Sequence, residues 1–145
     1  MALPVVFTSV KDDQYGGDIN LDGYSTAPVN GNWGTIYFSN QADDTACSID
    51  RAVIRYGGSS NNGMVYVYQT DFTIQNSVLA NSSSNGIYAS QASLTLINNE
   101  IYGNSTNGMY CYSSGSHNIT GCRVYANFDD GIEVLHSASV VVTGS

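Results

Sequence analysis

Positive charge is scarce in this chain of 145 residues, which has four Lys and Arg residues against twelve Asp and Glu and a net charge of −8. The four cations, Lys11, Arg51, Arg55 and Arg123, are spread along the sequence. They form no basic patch that could neutralise phosphates, so nucleic-acid binding is disfavoured. Charged residues are only 11% of the chain, but a hydrophobic content of 42% and eleven tyrosines favour a packed fold over disorder.

Long apolar runs and helical patterns are also missing. No apolar run approaches the roughly 20 residues of a membrane span, so none is predicted. Gly, Asn and Ser interrupt every run longer than about six residues, so the apolar stripe of an amphipathic helix cannot develop.

No secretion signal is visible at the amino terminus. The abundance of Asn, Ser, Gly and Tyr with a single Lys is nevertheless typical of secreted or cell-surface β proteins, so we expect export by a signal outside this sequence.

A repeated Asn-Gly or Asp-Gly pair, which we interpret as a turn, is the most informative feature present. Its glycines are Gly63, Gly86, Gly108 and Gly131, at spacings of 23, 22 and 23 residues. A short strand rich in apolar and aromatic residues follows each pair, and two further strand segments complete each repeat. Units of this length must stack to bury an apolar face. The pattern predicts one all-β domain over residues 1–145, a β-solenoid of about five coils of 22–23 residues.

The repeat beginning at Leu94 shows a specific pattern. Leu94 to Asn104 reads LTLINNEIYGN, which is apolar-x-apolar-x-x-Asn-x-Ile-x-x-Asn. This pattern resembles the coils of the right-handed parallel β-helix family, and the resemblance extends over roughly residues 47–144. It implies a right-handed parallel β-helix with inward asparagines that stack from coil to coil. The candidates for these inward positions are Asn76, Asn81, Asn99, Asn104 and Asn127.

Residues 4–9, 12–23, 32–38 and 54–58 read PVVFTS, DDQYGGDINLDG, NWGTIYF and IRYGG. These segments resemble a region that lies within the solenoids of large bacterial secreted β-helix proteins. Residues 10–33 form a loop excursion from the first coil in this interpretation. We therefore expect the chain to be a fragment of a longer solenoid, or its ends to be covered by end-to-end or edge contacts in an oligomer, because an uncovered solenoid end exposes unpaired strand edges and apolar core.

The loop excursion carries a candidate calcium site. Its sequence Asp-Ile-Asn-Leu-Asp-Gly, residues 18–23, matches the first half of a calcium-binding loop in which alternate oxygen side chains converge on the ion. The bidentate Glu expected six residues after the Gly is missing. Acidic residues earlier in the loop supply replacement oxygens in our prediction of a structural site formed by Asp12, Asp13, Asp18, Asn20 and Asp22. The alternative is an acidic turn whose side chains cap the backbone.

Two rows of repeated side chains are candidates for ligand binding. Tyr88 and Tyr110 occupy the same repeat position, and Glu133 continues their row; Tyr102 and Tyr125 form a second row. Strand alternation places both rows outside, with neighbours about 4.8 Å apart. Aromatic rings suit the faces of sugars, so the rows predict polysaccharide binding. The alternative is that identical side chains stack only to stabilise the sheet.

Three residues are candidates for catalysis. Asp129 and Asp130 could serve as a carboxylate pair in glycoside hydrolysis, and Lys11, the only lysine, as the base of a polysaccharide lyase. Asp130 has an ordinary explanation, because it stands where the other repeats have Asn. Our leading hypothesis is therefore a non-catalytic, polysaccharide-binding module of a secreted or cell-surface protein. A polysaccharide lyase or glycoside hydrolase fragment, and a structural or adhesin stalk, are the alternatives.

The three cysteines, Cys47, Cys111 and Cys122, are an odd number. Two of them could pair, which leaves the disulfide state open at this point. Cys111 lies at an inward-phased position of a strand, so we expect a buried free thiol there.

Overall fold

The computed structural model describes residues 3–60 and 62–145, and within these ranges it contains fifteen β-strands and no helix. No described segment therefore forms a helix with the length and apolarity to cross a membrane. The strands are Val5–Phe7 (β1), Ile36–Phe38 (β2), Ser48–Asp50 (β3), Ala52–Arg55 (β4), Gly63–Tyr68 (β5), Phe72–Gln75 (β6), Val78–Ala80 (β7), Asn85–Ser90 (β8), Leu94–Ile97 (β9), Glu100–Tyr102 (β10), Met109–Tyr112 (β11), Gly115–Thr120 (β12), Arg123–Tyr125 (β13), Ile132–Leu135 (β14) and Ala138–Thr143 (β15).

The strands form three parallel sheets of five strands each. Sheet 1 has the order β1-β4-β7-β10-β13, sheet 2 the order β2-β5-β8-β11-β14 and sheet 3 the order β3-β6-β9-β12-β15. Each coil adds one strand to each sheet, and equivalent residues such as Ile54, Leu79 and Ile101 pair in register. The chain thus makes five coils, of which the four from Ala52 onward are regular. The prediction of an all-β parallel solenoid is confirmed.

Inward side chains of the three sheets fill the interior of the solenoid. Successive residues of a strand point to opposite sides, so every second residue enters this core. Its central rows are Ile54, Leu79 and Ile101 from sheet 1, Val65, Ile87 and Met109 from sheet 2, and Ile74, Leu96 and Ile119 from sheet 3, each at most 1% exposed. Burial of these apolar rows between coils provides the main driving force for stacking.

Buried asparagines connect consecutive coils at two corners. Asn99 and Asn104 are 1% and 2% exposed. The Oδ1 atom of Asn99 accepts the N–H of Ser77 at 2.9 Å, and that of Asn104 accepts the N–H of Ser82 at 3.0 Å. Asn127 repeats the arrangement one coil further on, since its Oδ1 accepts the N–H of Asn104 at 3.2 Å. The inward positions predicted for these three asparagines are confirmed.

The same prediction is wrong for Asn76 and Asn81. Asn76 is exposed and Asn81 is half-buried, and both have positive φ angles, 52° and 59°. They are the left-handed corner residues that precede the inward positions, and those positions are occupied by Ser77 and Ser82 in this coil. Asparagine tolerates the left-handed conformation because its short polar side chain can bond locally.

The interpretation of the Asn-Gly pairs as turns is wrong for Asn85-Gly86, which lies within β8, and none of the four repeat glycines has a positive φ. A Cβ atom on Gly86 would lie 2.7 Å from the carbonyl oxygen of Gly108, and one on Gly108 would lie 2.6 Å from that of Gly131. Glycine here permits the close approach of consecutive coils. The preceding Asn85 and Asn107 are buried and form a third ladder, in which the Oδ1 of Asn85 accepts the N–H of Asn107 at 3.1 Å.

The three cysteines are free thiols. Cys111 and Cys122 are fully buried, whereas Cys47 is partly exposed. Burial raises the pKa of the Cys111 thiol to about 12. The prediction of a buried free thiol at Cys111 is confirmed.

The excursion between β1 and β2 folds back over later coils. Asn30 donates from Nδ2 to the carbonyl oxygen of Ser82 at 3.2 Å and to the Oγ of Ser105 at 3.0 Å. The indole N–H of Trp33 donates to the carbonyl oxygen of Arg55 at 2.8 Å. These contacts attach the excursion, which leaves from the first coil, to the second coil at Arg55 and to the corners of the third and fourth coils.

Apolar side chains are exposed on both terminal coils. Val5 and Phe7 are 59% and 43% exposed at one end, and Val141 and Val142 are 58% and 50% exposed at the other. The outer edges of these coils also carry strand backbone without a neighbouring strand in the described structure. The predicted end-to-end or edge contacts stay a prediction.

Candidate functional site

The outward surface of sheet 2 carries a continuous row of tyrosines. Tyr37, Tyr66, Tyr88 and Tyr110 pair in register on β2, β5, β8 and β11, and Glu133 follows on β14. Successive ring centroids are 4.9, 4.9 and 5.3 Å apart. The spacing of parallel strands sets this distance, so the row runs along the solenoid axis. The structure therefore brings the predicted Tyr88, Tyr110 and Glu133 together and adds two tyrosines to them.

A second, shorter row lies beside the first on the same strands. Tyr68 and Tyr112 are two residues beyond Tyr66 and Tyr110, at centroid distances of 6.3 and 6.4 Å. Ser90 separates them on the intervening strand and is only 7% exposed. We call the six side chains of the two rows the tyrosine face: Tyr37, Tyr66, Tyr68, Tyr88, Tyr110 and Tyr112.

Exposure varies along the tyrosine face. The rings of Tyr88 and Tyr110 are parallel to within 10°, so each covers a face of the other, and Tyr88 is 9% exposed. Tyr37 and Tyr112 are 49% and 39% exposed. The centre of the face thus presents ring edges and hydroxyl groups, while larger parts of the rings are accessible at Tyr37 and Tyr112.

The hydroxyl groups of Tyr66, Tyr88 and Tyr110 stay protonated at neutral pH. Burial raises the pKa values of Tyr66, Tyr88 and Tyr110, and the neighbouring Glu133 carboxylate raises that of Tyr110 further. A protonated phenol both donates and accepts a hydrogen bond. This chemistry matches the hydroxyl groups of a sugar.

Amide side chains border the tyrosine face. At one corner of sheet 2, Gln69 donates from Nε2 to the Oε1 of Gln91 at 2.7 Å. At the opposite corner, Asn107 donates from Nδ2 to the Oε2 of Glu133 at 2.7 Å. Amides and carboxylates that flank aromatic rings can fix the orientation of a polar ligand.

The row of Tyr102 and Tyr125 predicted from the sequence lies on a different surface from the tyrosine face. Tyr102 and Tyr125 stack at 5.0 Å, but they belong to β10 and β13 of sheet 1. Arg123 lies over the Tyr125 ring at 5.1 Å and forms a 2.6 Å ion pair with Glu100. The two predicted rows therefore cannot contact one ligand as a single flat surface.

The loop around Asp18 forms a compact hydrogen-bonded turn. Asp18 accepts the N–H groups of Asp22 and Gly23 at 3.0 and 2.9 Å. Asp22 in turn accepts the N–H groups of Ser25 and Thr26 at 2.9 and 3.1 Å. These bonds cap the backbone, as in the alternative to a calcium site.

Two oxygen atoms in the same loop have no hydrogen-bond partner among the described residues. They are Oδ1 of Asp13 and Oδ1 of Asn20, and both are shielded from solvent. Burial, followed by the charges of Asp18, Asp22 and Asp12, raises the pKa of Asp13. The acidic groups are thus close enough to repel one another, and a cation would relieve that repulsion.

The calcium site predicted from the sequence stays a prediction. In the parts of the chain that the structure describes, no three His, Cys, Asp or Glu side chains are grouped closely enough to hold a metal ion. Asp12 is engaged elsewhere, because its carboxylate accepts the hydroxyl of Thr8 at 2.5 Å and lies 3.4 Å from the Nε of Arg55. The remaining candidates are Asp13, Asp18, Asn20 and Asp22.

The catalytic candidates lie far apart in the coil order. Asp129 and Asp130 are exposed at the last corner before β14, whereas Lys11 follows β1 in the first coil. The N–H of Asp130 donates to the Oδ1 of Asn107 at 2.9 Å, so Asp130 occupies the ladder position of Asn85 and Asn107. No hydrogen bond or ion pair connects these candidates within the described structure.

Sequence reasoning missed Tyr37, Tyr66, Tyr68 and Tyr112. Tyr66, Tyr88 and Tyr110 are spaced by 22 residues each, which was a signal for Tyr66. An alignment of the repeats on Gly63 obscures this spacing, because the structure pairs Gly63 with Asn85 instead of Gly86. Tyr37 is separated from Tyr66 by an irregular coil, so spacing alone could not place it.

Comparison with known proteins identifies one family. The family described as "right handed beta helix region" matches residues 29–145, which include all but the beginning of the solenoid. Comparisons with curated proteins and with solved structures give no match. Because the family match extends over most of the chain and the structure is a parallel β-solenoid, this protein belongs to the right-handed β-helix family.

Proposed function

We propose that this chain is a non-catalytic, polysaccharide-binding module of a secreted or cell-surface protein, and that the tyrosine face is its binding surface. The observation that carries the proposal is the register of Tyr37, Tyr66, Tyr88 and Tyr110 along sheet 2. Six tyrosines, more than half of the eleven in the chain, lie on this one surface. Tyrosine combines an apolar ring with a polar hydroxyl, the two features that a sugar requires of its binding site.

The geometry also supports an extended ligand. The main row of the face follows the solenoid axis with near-regular steps of 4.9, 4.9 and 5.3 Å. A surface with tyrosines at regular intervals in one direction can contact successive units of a polymer. Each contact can be weak, because several contacts hold the same polysaccharide molecule.

Calcium is a further part of the proposal, with a structural role in the excursion. The unpartnered oxygens of Asp13 and Asn20 and the mutual repulsion of the acidic side chains support it. A ligand that binds only the folded state raises the melting temperature. We expect millimolar calcium to raise it relative to excess EDTA, and Asp13→Asn to reduce that increase. Equal melting temperatures in both conditions would refute the calcium site without affecting the tyrosine face.

Affinity electrophoresis through gels that contain dissolved polysaccharides tests the binding proposal. Retarded migration is the expected result, and Tyr110→Ala should weaken it by roughly threefold to tenfold, the loss that corresponds to one aromatic contact. Tyr125→Ala is the matched control, because Tyr125 is 40% exposed but lies on sheet 1. A reducing-end assay on the same polymers should detect no cleavage.

Each other outcome identifies a different function. New reducing ends that disappear in Asp129→Asn or Asp130→Asn would show a hydrolase. Migration that no polysaccharide retards would indicate that the tyrosines only stabilise the sheet and that the chain is a structural stalk. Retardation that Tyr125→Ala abolishes and Tyr110→Ala does not would place the site on sheet 1.

A further inference from the structure

The distribution of charge around the tyrosine face limits the class of polysaccharide that it can take. We infer that the face binds an uncharged polysaccharide and discriminates against polymers of uronic acids. This inference rests on the proposed function and specifies its ligand.

None of the four cations of the chain lies on sheet 2. Arg55 and Arg123 belong to β4 and β13 of sheet 1, Arg51 lies at the corner between β3 and β4, and Lys11 lies in the excursion. Recognition of a carboxylate by a permanent charge requires a guanidinium or ammonium group at the site. The tyrosine face has neither group to offer to a uronate, and the His136 imidazole lies at its edge, 4.9 Å from the Tyr112 ring.

The three arginines among these cations also form ion pairs away from the tyrosine face. Arg51 lies 3.2 Å from Asp50, and Arg123 lies 2.6 Å from Glu100. Arg55, whose side chain is 15% exposed, lies 3.4 Å from the buried Asp12. Moving Arg55 to meet a ligand would leave the Asp12 carboxylate buried without its partner, which is costly.

Carboxylates stand at the end of the tyrosine row instead. Glu133 directly follows Tyr110 in register, and the exposed Asp129 and Asp130 lie at the corner that leads into the same strand. The net charge of −8 adds a general repulsion of polyanions. A uronate polymer that lies along the row would bring its own carboxylates next to these groups.

An uncharged sugar meets favourable chemistry at the same place. The Glu133 carboxylate is already bonded to Asn107 Nδ2 at 2.7 Å and retains acceptor capacity for a sugar hydroxyl, because each carboxylate oxygen accepts more than one bond. Tyrosine hydroxyls add donors and acceptors without charge. The same site thus favours neutral polymers and penalises acidic ones.

The test compares two groups of polymers by affinity electrophoresis at low ionic strength, where charge effects are least screened. Hydroxyethylcellulose, xylan, galactomannan and starch are the neutral group, and polygalacturonate and alginate are the uronate group. The wild-type chain should bind at least one neutral polymer and should bind both uronates at least about tenfold more weakly. This preference should decrease as salt is added.

Two variants with equal net charge separate the local effect from the general one. Glu133→Gln removes a carboxylate next to Tyr110, and Glu100→Gln removes one on sheet 1. The ratio of uronate affinity to neutral affinity should rise at least about threefold in Glu133→Gln, because one repulsive charge at the site is lost. It should rise much less in Glu100→Gln.

The outcomes distinguish this inference from the proposed function. Uronate binding that equals or exceeds neutral binding and is lost in Tyr110→Ala would overturn the inference while the proposed function stands. Equal ratios in the two glutamine variants would overturn the assignment of the preference to Glu133. Absence of binding to every polymer would refute the proposed function and the inference with it.

Discussion

Replacement of Asn99 by alanine tests whether the buried asparagines hold adjacent coils together. The Asn99 side chain is 1% exposed and makes two bonds to backbone groups of the preceding coil. Its Nδ2 donates to the carbonyl oxygen of Ile74 at 2.7 Å, and its Oδ1 accepts the N–H of Ser77 at 2.9 Å. Alanine can make neither bond, and water cannot readily reach the partners.

The expected loss of stability in Asn99→Ala follows from the two backbone groups, on Ile74 and Ser77, that lose their hydrogen-bond partner. A buried donor or acceptor without a partner costs about 1–3 kcal/mol, so the loss of both should lower the free energy of unfolding by about 2–6 kcal/mol. Natural domains have only about 5–15 kcal/mol of stability in total. At roughly 3 °C per kcal/mol for a domain of this size, the melting temperature should fall by about 10 °C.

Urea unfolding followed by circular dichroism measures this change. Asn118→Ala is the control, because Asn118 is an exposed asparagine on β12, and it should change the unfolding free energy by less than about 0.5 kcal/mol. Amide hydrogen exchange at Ser77 should also become faster in Asn99→Ala. An unfolding free energy within 0.5 kcal/mol of wild type, as a rough limit of measurement, would refute the structural role of the ladder.

Three further predictions concern single residues. His117 is buried and its Nδ1 accepts the N–H of Leu94 at 3.3 Å. Burial lowers the pKa of His117 below 6.5, so the unfolded chain takes up the proton first and the free energy of unfolding should fall as pH drops below 6.5. Urea unfolding at pH 7.5 and about 5.5 should show a smaller pH dependence for His117→Leu than for the wild type. Cys111, with a pKa raised to about 12, should resist thiol reagents until the chain unfolds, whereas Cys47 should react in the native state. Gly108→Ala should destabilise the chain by about 1–3 kcal/mol, because its Cβ would lie 2.6 Å from a carbonyl oxygen. Gly131→Ala, whose Cβ would have its nearest contact at 3.5 Å, should be tolerated. Equal melting temperatures of these two variants would contradict the prediction.

The parallel solenoid could be predicted from the sequence because its signals are redundant. The glycine spacing, the short apolar strands and the absence of helical periodicity all indicate stacked coils. In-register stacking then fixes which residues of successive coils are neighbours. For this reason the outward row of Tyr88, Tyr110 and Glu133 followed from the repeat as soon as the repeat was found.

The path of the excursion could not be predicted. Its contacts depend on Asn30, which reaches Ser82 and Ser105, and on Asp12, which is drawn to Arg55. Partners separated by 52 and 75 residues leave no periodic signal in a single sequence. Motif spacing alone indicates the candidate calcium ligands, and it contains no information about the ion pair between Asp12 and Arg55.

The error at Asn76 and Asn81 has a physical origin in the variable coil length. Ser77 and Asn99 are separated by 22 residues and Asn99 and Cys122 by 23, although all three take the same inward corner position. A constant step of 23 from Asn99 leads to Asn76, which is the corner residue with φ of 52°. Asparagine suits both places, because its amide can bond two backbone groups in the core and can also accommodate a left-handed turn. Residue type alone therefore cannot distinguish a ladder position from the corner beside it; the inward apolar residues, such as Leu79 and Ile101, fix the register that decides between them.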